Sequence, residues 1–260
     1  MAKLVRAISD MGGVVISVID STDIVKRMEE IHETSAVVSA ALGRLLTASQ
    51  LMASNLKSVD DSITLRIKAD GPIGLLTVGC DGRGNCKGYV ENNIVELALR
   101  PDGKLDVGSA VGRDGYLYVG KDIGLKEPYV GDTILVTSEI ADDLTYYFAT
   151  SEQTPSAVGL GVLVDRDGSV KQAGGFIIQL MPFTPDDVIE KLEKRIAQID
   201  SVTKMLERGL TPEGILEDIL GEFGVEFTDT IPAAFKCDCS KEKVSGALAT
   251  LSKKDMQDII

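Results

Sequence analysis

The sequence predicts an α+β fold in which a β-sheet-rich core domain is packed around one buried helix and is followed by amphipathic helices. Three features of the chain lead to this prediction. Runs rich in Val, Ile, Leu and Tyr, separated by Asp-Gly turns, fill most of residues 62–179. Within residues 35–56 the only charged side chain is Arg44. From residue 184 onward, charged segments carry apolar residues at every third or fourth position.

Composition limits the class of function. The chain has 260 residues, of which 44% are hydrophobic and 5% aromatic, so a core of Val, Ile, Leu and Ala is expected. Its formal net charge of −13 argues against nucleic acid and anionic membranes, because both require a basic protein surface. The amino-terminal residues lack a signal-peptide pattern, and the apolar stretch 34–57 is too polar to span a bilayer. We therefore expect a cytoplasmic protein with no nucleic acid and no membrane among its partners.

Two strands and two helices are predicted at the start of the chain. The strands cover residues 3–9 and 13–20 on either side of a Met-Gly-Gly turn, and a helix follows over residues 21–33. Residues 34–57 are apolar nearly all round, which is typical of a helix inside a domain rather than on its surface. This segment is therefore predicted to be a central buried helix, covered on more than one side.

Short strands dominate the middle of the chain. Alternating apolar runs are separated by turn residues, and one helix, running through Tyr147, interrupts them. The predicted strands cover residues 63–70, 74–80, 87–92, 115–122, 133–140, 161–170 and 174–180.

Two or three short amphipathic helices are predicted over residues 184–223. Thr184 is predicted to cap the first helix with Pro185 at its first helical position, and the pair Thr211 and Pro212 begins another in the same way. Their apolar residues form stripes, comprising Ile189, Leu192, Ile196, Ile199, Ile215, Leu216, Ile219 and Leu220. Helices this short are not stable alone, so the stripes must dock, and the β-rich domain is the expected surface.

Catalytic motifs are missing from the sequence. There is one histidine, His32, and no Gly-x-Ser-x-Gly elbow accompanies it. No phosphate-binding loop or complete dinucleotide fingerprint is present either. We therefore predict that the protein is not an enzyme, assign no catalytic residue and expect no use of ATP.

Cys80 and Cys86 flank a glycine-rich turn, Asp-Gly-Arg-Gly-Asn. A hairpin there can bring the two thiols close enough to bridge. The alternative is that both are small buried strand residues, which is the commoner behaviour of a free cysteine and the interpretation that we favour.

Cys237 and Cys239 are two residues apart and point to a different chemistry. Lys236, Lys241 and Lys243 surround them, and positive neighbours favour the thiolate, which is both the metal ligand and the oxidisable species. A direct disulfide between them is possible but strained, and a strained disulfide suits a switch. Alternatively they bind metal, although two sulfurs are only half of a tetrahedral zinc site.

Long sequence blocks along the chain carry a resemblance to a known family. They are HETSAVVSAALGRLLTA, KADGPIG, GKLDVGSAVG, LKEPYVG, SEQTPSAVGLGVLVDRDGSV, AGGFIIQLMP and TPEGILEDILG, followed by CDCS. In these blocks the chain resembles the bacterial redox-regulated heat-shock chaperonins of thirty-three kilodaltons. The resemblance implies a chaperone core domain at residues 1–182, a helical linker at 183–232 and the start of a redox-switch zinc domain at 233–260.

The resemblance also implies a mechanism. In the reduced family member four cysteines, one Cys-x-Cys and a later Cys-x-x-Cys, hold zinc and the protein is inactive. Oxidants form a disulfide within each pair and expel the zinc, and the zinc domain and the linker then unfold. Apolar surface is exposed, homodimers form, and unfolding client proteins are held without ATP. An ATP-independent holdase chaperone acting under oxidative stress is therefore the expected function.

The sequence departs from the family pattern at one place. No Cys-x-x-Cys follows Cys239, so the zinc domain is expected to be truncated and zinc not fully bound. Cys237 and Cys239 alone are assigned as zinc ligands and as the redox disulfide, and the chain after Ile231 is expected to be loose or to be ordered by non-native or crystal contacts. The alternatives are a thiol-disulfide oxidoreductase using Cys237 and Cys239, and a zinc-dependent interaction module.

Overall fold

A single ten-stranded sheet forms the frame of the molecule. The computed structural model describes residues 2–237, 240–252 and 255–257. Its strands are β1 (Ala2–Ser9), β2 (Val14–Asp20), β3 (Ser62–Ala69), β4 (Leu76–Asp81), β5 (Asn85–Val90), β6 (Gly115–Asp122), β7 (Tyr129–Ile134), β8 (Ser156–Val164), β9 (Val170–Leu180) and β10 (Val225–Phe235). Its helices are α1 (Thr22–His32), α2 (Ala36–Ala53), α3 (Val107–Val111), α4 (Ala141–Thr150), α5 (Asp186–Ile196), α6 (Val202–Glu207), α7 (Pro212–Leu220) and α8 (Lys241–Ala249). The predicted α+β class is confirmed.

The sheet consists of two halves joined by a short contact. The strand order is β7-β6-β3-β4-β5-β10-β1-β2-β9-β8. Strand β10 pairs with β1 antiparallel along its length, but it meets β5 in parallel through only the pairs Ala234–Asn85 and Phe235–Cys86. We call this two-pair contact between β5 and β10 the seam. The halves are therefore held together at the seam by few backbone hydrogen bonds and otherwise by the core.

Helix α2 is the core that both halves share. Sixteen of its 18 residues are buried, and it contacts strands on both sides of the seam. Helix α4 touches β7 and β8, which are the two outer strands, so the sheet curves around α2 until its edges approach each other. The predicted central buried helix is confirmed. Helix α2 is long and apolar enough to cross a membrane, but 89% of that window is buried inside the fold, as in a core helix.

Two predicted strands are misplaced. The run over residues 161–170 contains only the end of β8 and the turn before β9, where Asp165 and Ser169 are joined by a backbone hydrogen bond. The run over residues 133–140 was expected to be a strand, but β7 ends at Ile134. The buried carboxylate of Asp143 explains the difference, because it accepts hydrogen bonds from the backbone N–H groups of Val136, Thr137, Ser138 and Ile140. These bonds hold the segment as a loop at the start of α4.

Strand β10 was not predicted at all. Its sequence contains Pro232 and acidic residues at Glu226 and Asp229, which are unfavourable in strands. It nevertheless lies inside the sheet, with Ala233 buried between β1 and β5. The expectation that the chain is loose after Ile231 is therefore wrong as far as Phe235.

Candidate functional site

The first feature of the site is an apolar sheet face covered by short helices. Side chains of β1, β2 and β9 alternate between the two faces of the sheet. One face packs on α2, and the other carries Val5, Ala7, Val14, Ile16, Val18, Phe176 and Ile178, which we call the docking face. Helices α5, α6 and α7, which we call the cover, bury against it Val188, Leu192, Val202, Met205, Leu206, Ile215, Leu216, Ile219 and Leu220. The prediction that the amphipathic stripes dock on the β-rich domain is confirmed.

The start of the cover differs in detail from the prediction. Pro185 occupies the cap position of α5 rather than the first helical position. The hydroxyl of Thr184 lies 2.8 Å from the carbonyl oxygen of Gly13 and 2.7 Å from that of Met181. Thr184 therefore ties the cover to the β1–β2 turn instead of capping the helix. Thr211 caps α7 as predicted, since its hydroxyl accepts from the N–H of Gly214 at 3.2 Å.

Glycines let helix α6 approach the sheet closely. Gly161 on β8 and Gly174 on β9 are cross-strand partners beneath this helix. A Cβ on Gly161 would lie 2.7 Å from Cγ2 of Thr203, and one on Gly174 would lie 2.9 Å from Cδ1 of Leu206. Any side chain at either position would therefore push α6 outward. These glycines were missed by the sequence reasoning, and no local pattern distinguishes them from ordinary strand glycines.

Ion pairs between the cover and the rest of the fold are exposed. Lys3 pairs with Glu213, and Lys171 pairs with Glu207 at 2.8 Å. All four side chains are one-third or more exposed. Exposed ion pairs contribute little to stability because water and salt screen them. Apolar contact with the docking face is therefore what holds the cover in place.

The second feature of the site is the segment that leads to the paired cysteines. Strand β10 connects the end of the cover to this segment and ends at Phe235. The N–H of Lys236 then donates to the carbonyl oxygen of Cys86 at 2.7 Å, and Cys237 is exposed. Cys239 lies outside the described residues. Helix α8 follows, and all its residues whose burial is described are exposed.

Cys80 and Cys86 form a buried pair at the β4–β5 hairpin. They are cross-strand partners, and both thiols are free. Burial raises the pKa of both groups. The charges of Cys86 and Asp81 raise the pKa of Cys80 further, and a hydrogen bond from Gln50 partly offsets the rise for Cys86, whose pKa is about 12. The favoured interpretation, two small buried strand residues, is confirmed.

Metal-binding groups do not converge in the described part of the chain. Among those residues no three of His, Cys, Asp or Glu are grouped so that they could hold a metal ion. The histidine, His32, lies edge-on to the ring of Phe235 with centroids 6.3 Å apart. A structural zinc site takes four ligands, and Cys237 is the one assigned ligand that the structure describes. The described residues thus do not form a zinc site, and zinc stays a prediction.

Together the shared core helix, the docking face and its cover define a class of protein. Comparison with known proteins identifies that class as heat-shock chaperones. A family model described as "Hsp33 protein" matches residues 2–260. The chain therefore belongs to the Hsp33 family.

Named relatives and a solved structure agree with this assignment. The 33 kDa chaperonin of Agathobacter rectalis is 59% identical over 257 residues, which cover 99% of this chain and 89% of the relative. That of Geobacillus kaustophilus is 46% identical over 257 residues, covering 99% and 87%. The crystal structure of the 33 kDa chaperonin, a heat shock protein 33 homolog, from Thermotoga maritima has a TM-score of 0.90 at 38% identity, covering 98% of this chain and 87% of that one. The predicted family and its chaperone class are confirmed.

Proposed function

We propose that the protein is an ATP-independent, redox-regulated holdase that binds unfolding proteins on its docking face once the cover is released. The observation that carries this proposal is the apolar contact between the cover and the docking face. In the docked state this surface is unavailable to other proteins. Release of the cover exposes a continuous apolar patch from three adjacent strands, which is a typical protein-binding surface.

The construction of the cover supports its release as a unit. Its helices have 11, 6 and 9 residues, which is too short for stable isolated helices. Each buries only one stripe, and the outer faces are charged. A released cover would therefore lose its helical structure, and its apolar residues would become further contact sites for client proteins.

The position of the paired cysteines supports redox control. Cys237 is exposed and next to Lys236, whose charge favours the thiolate. A disulfide between Cys237 and Cys239 requires a tight local turn directly after Phe235. Because β10 connects this segment to the cover, we expect such a turn to loosen the carboxyl end of β10 first and the cover afterwards.

The domain boundaries remain part of the proposal. We divide the chain into a core domain at 1–182, a linker at 183–232 and a redox-switch segment at 233–260. Strand β10 crosses the boundary after Pro232, so the linker and the redox segment share one strand. This sharing supports direct mechanical coupling between them.

Zinc binding and dimer formation are further predictions for the same protein. In the reduced protein Cys237 and Cys239 supply two zinc ligands, and the active protein is a homodimer. Elemental analysis of reduced protein tests the first prediction, and sedimentation of reduced and oxidised protein tests the second. The holdase proposal does not depend on either result.

An aggregation assay tests the proposal. A chemically denatured client enzyme is diluted without ATP into solutions of the chaperone that was either reduced or treated with peroxide at mild heat. Light scattering should be suppressed by the oxidised sample and much less by the reduced sample. Equal suppression by both samples would contradict redox control, and no suppression by either would contradict the holdase function.

An insulin-reduction assay separates the oxidoreductase alternative from the holdase. A thiol-disulfide oxidoreductase would accelerate the reduction of insulin by dithiothreitol, and Cys237→Ser would abolish that rate. The holdase should give no turnover in either form. The double variant Cys237→Ser/Cys239→Ser should also lose the oxidative activation of client binding.

A further inference from the structure

We propose that Cys80 and Cys86 are a second, latent oxidation site, whose cross-strand disulfide closes only after the carboxyl end of β10 has left β5. The site is distinct from Cys237 and Cys239 and lies in the core domain. Its oxidant is hydrogen peroxide. The disulfide would therefore form only in molecules in which the contact between β5 and β10 has opened.

The register of the hairpin places the two cysteines for bridging. They face each other directly in the antiparallel β4–β5 pair, next to the turn that joins these strands. Directly opposed residues in such pairs have Cα atoms about 4.5–5.5 Å apart, and disulfides span about 4.4–6.8 Å between Cα atoms. Opposed residues also point to the same face. The disulfide therefore requires rotation of side chains but no slip of the strands.

The closed seam protects the pair from oxidant. Cys80 is 3% exposed and Cys86 is 1% exposed, on the face that packs against α2. Phe235 of β10 is the register partner of Cys86, so Cys80, Cys86 and Phe235 lie in one row across three strands. A buried thiol is mostly protonated, and only the thiolate attacks peroxide at a useful rate. We expect both thiols to stay reduced while Phe235 is in place.

The seam can open without dismantling either half of the sheet. Two of its hydrogen bonds run from the N–H of Ala234 to the oxygen of Gly84 at 3.0 Å and from the N–H of Lys236 to the oxygen of Cys86 at 2.7 Å. The close approach depends on Gly84, whose φ is +81° and where a Cβ would lie 2.0 Å from the carbonyl oxygen of Pro232. Opening the seam leaves the β4–β5 hairpin intact and exposes its outer edge.

The oxidation is balanced with peroxide as the sole oxidant. One thiolate attacks peroxide, so that an S–O bond forms, the O–O bond breaks and the leaving hydroxide takes up a proton to become water. The second thiolate attacks the resulting sulfenic sulfur, so that the S–S bond forms and the S–O bond breaks with loss of water. Two thiols lose two electrons and two protons, and one peroxide becomes two waters.

Peptide mapping tests the proposal directly. Arg83 lies between the two cysteines, so trypsin separates them into residues 69–83 and 84–87. In the full chain the disulfide then appears as one linked peptide pair, measured by non-reducing mass spectrometry after free thiols are blocked. Wild-type protein should form the pair slowly, whereas Gly84→Ala should form it about tenfold faster or more, because its thiols become accessible.

Matched variants keep the test specific to the seam. Gly103→Ala is the control for backbone strain, since Gly103 has φ +79° but nothing within 4 Å of an added Cβ. Phe235→Ala opens the row without altering the hairpin, and Phe227→Ala changes an exposed phenylalanine of the same strand. Phe235→Ala should accelerate linking, and both controls should match wild type. The proposal is overturned if Phe235→Ala forms the Cys80–Cys86 disulfide at the same rate as Phe227→Ala. It is also overturned if the wild-type disulfide forms as fast as Cys237 is oxidised, or if Cys80 and Cys86 form disulfides with other cysteines instead.

Discussion

Two helical layers cover opposite faces of the same strands, and they are built differently. Leu4, Ile19 and Ile177 belong to the core cluster that contains helix α2, whereas their neighbours Val5, Val18 and Phe176 belong to the cluster that contains the cover. Helix α2 is one 18-residue helix buried on nearly every side, and the cover is three short helices buried along one stripe each. Both faces of these strands carry buried apolar side chains. How firmly each helical layer is held on the sheet therefore depends on the length and burial of its helices rather than on the strands beneath them.

The ion pairs of the two helical layers also differ in their exposure to solvent. The single charge of α2, Arg44, is held by Glu139 at 2.6 Å, and both side chains are less than one-third exposed. In the cover, Lys194 and Glu190 pair on the solvent side and are more than two-thirds exposed. Removing α2 from its place would break a sheltered ion pair as well as apolar contacts. Removing the cover breaks mainly apolar contacts and exposed pairs.

The largest effect is expected from truncation within α2. Leu46→Ala removes a fully buried side chain from the core cluster that residues of both sheet halves share. Such substitutions lower the free energy of unfolding by about 2–5 kcal/mol. Urea denaturation should show one cooperative transition at a lower midpoint. A stability equal to that of wild type would mean that α2 does not join the halves.

A charge placed under the cover should have a smaller and more local effect. Ile219→Asp puts a carboxylate against the docking face, where Ile219 is 1% exposed, and should release the cover. The core should still unfold cooperatively, and the reduced variant should suppress client aggregation without oxidant. Glu217→Asp, on the exposed side of the same helix, is the control and should behave like wild type. If the reduced Ile219→Asp protein is folded with its cover released but does not suppress client aggregation, release of the cover is not sufficient for client binding.

Crowding beneath α6 should weaken the cover without adding charge. Gly161→Ala forces Thr203 to move, and overpacking of this kind costs about 1–3 kcal/mol. Hydrogen exchange should accelerate in α6 and remain unchanged in α2. Gly79→Ala is the matched strand control, because its added Cβ would have no neighbour closer than 3.8 Å. Equal exchange in the two variants would show that α6 is not held by this close approach.

The smallest effect is expected from an exposed tie between cover and core. A hydrogen bond to Glu207 and the charge of that residue raise the pKa of Lys171. A raised pKa in the folded protein means that this contact stabilises docking below the ordinary lysine pKa and is lost as pH rises through the folded pKa. Lys171→Met should leave client binding of the reduced protein unchanged at neutral pH. A gain of binding as large as that of Ile219→Asp would show that the ion pair, not the apolar contact, retains the cover.

Much of this contrast was predictable from the sequence. The apolar, nearly chargeless segment of α2 and the stripes of the cover are local patterns, and each had one sensible interpretation. Leu192, Ile215, Leu216, Ile219 and Leu220 are buried as their spacing indicates, whereas Ile189, Ile196 and Ile199 are only half-buried. The docking of the cover on the sheet also followed, because short helices need a surface.

The features that the sequence did not predict depend on contacts between residues far apart in the chain. Strand β10 has a weak strand sequence and is held by partners such as Ala2, more than two hundred residues away. Strand β7 ends early because the buried carboxylate of Asp143 binds the backbone that follows it, and no sequence pattern near residue 134 predicts this contact. Gly84 matters because Pro232 passes over it, which no hairpin pattern reveals. The assignment of Cys237 and Cys239 remains a prediction, since only Cys237 lies within the described residues.

The position of β10 in the chain has a consequence for synthesis on the ribosome. Strand β1 is made first, but its outer edge has no partner until residues 225–235 emerge. The cover, at residues 186–220, is made before β10. Because domains begin to fold as they emerge, the docking face can be covered before the sheet is complete. The cover can therefore bury the apolar docking face of the nascent chain while the edge of β1 is still unpaired.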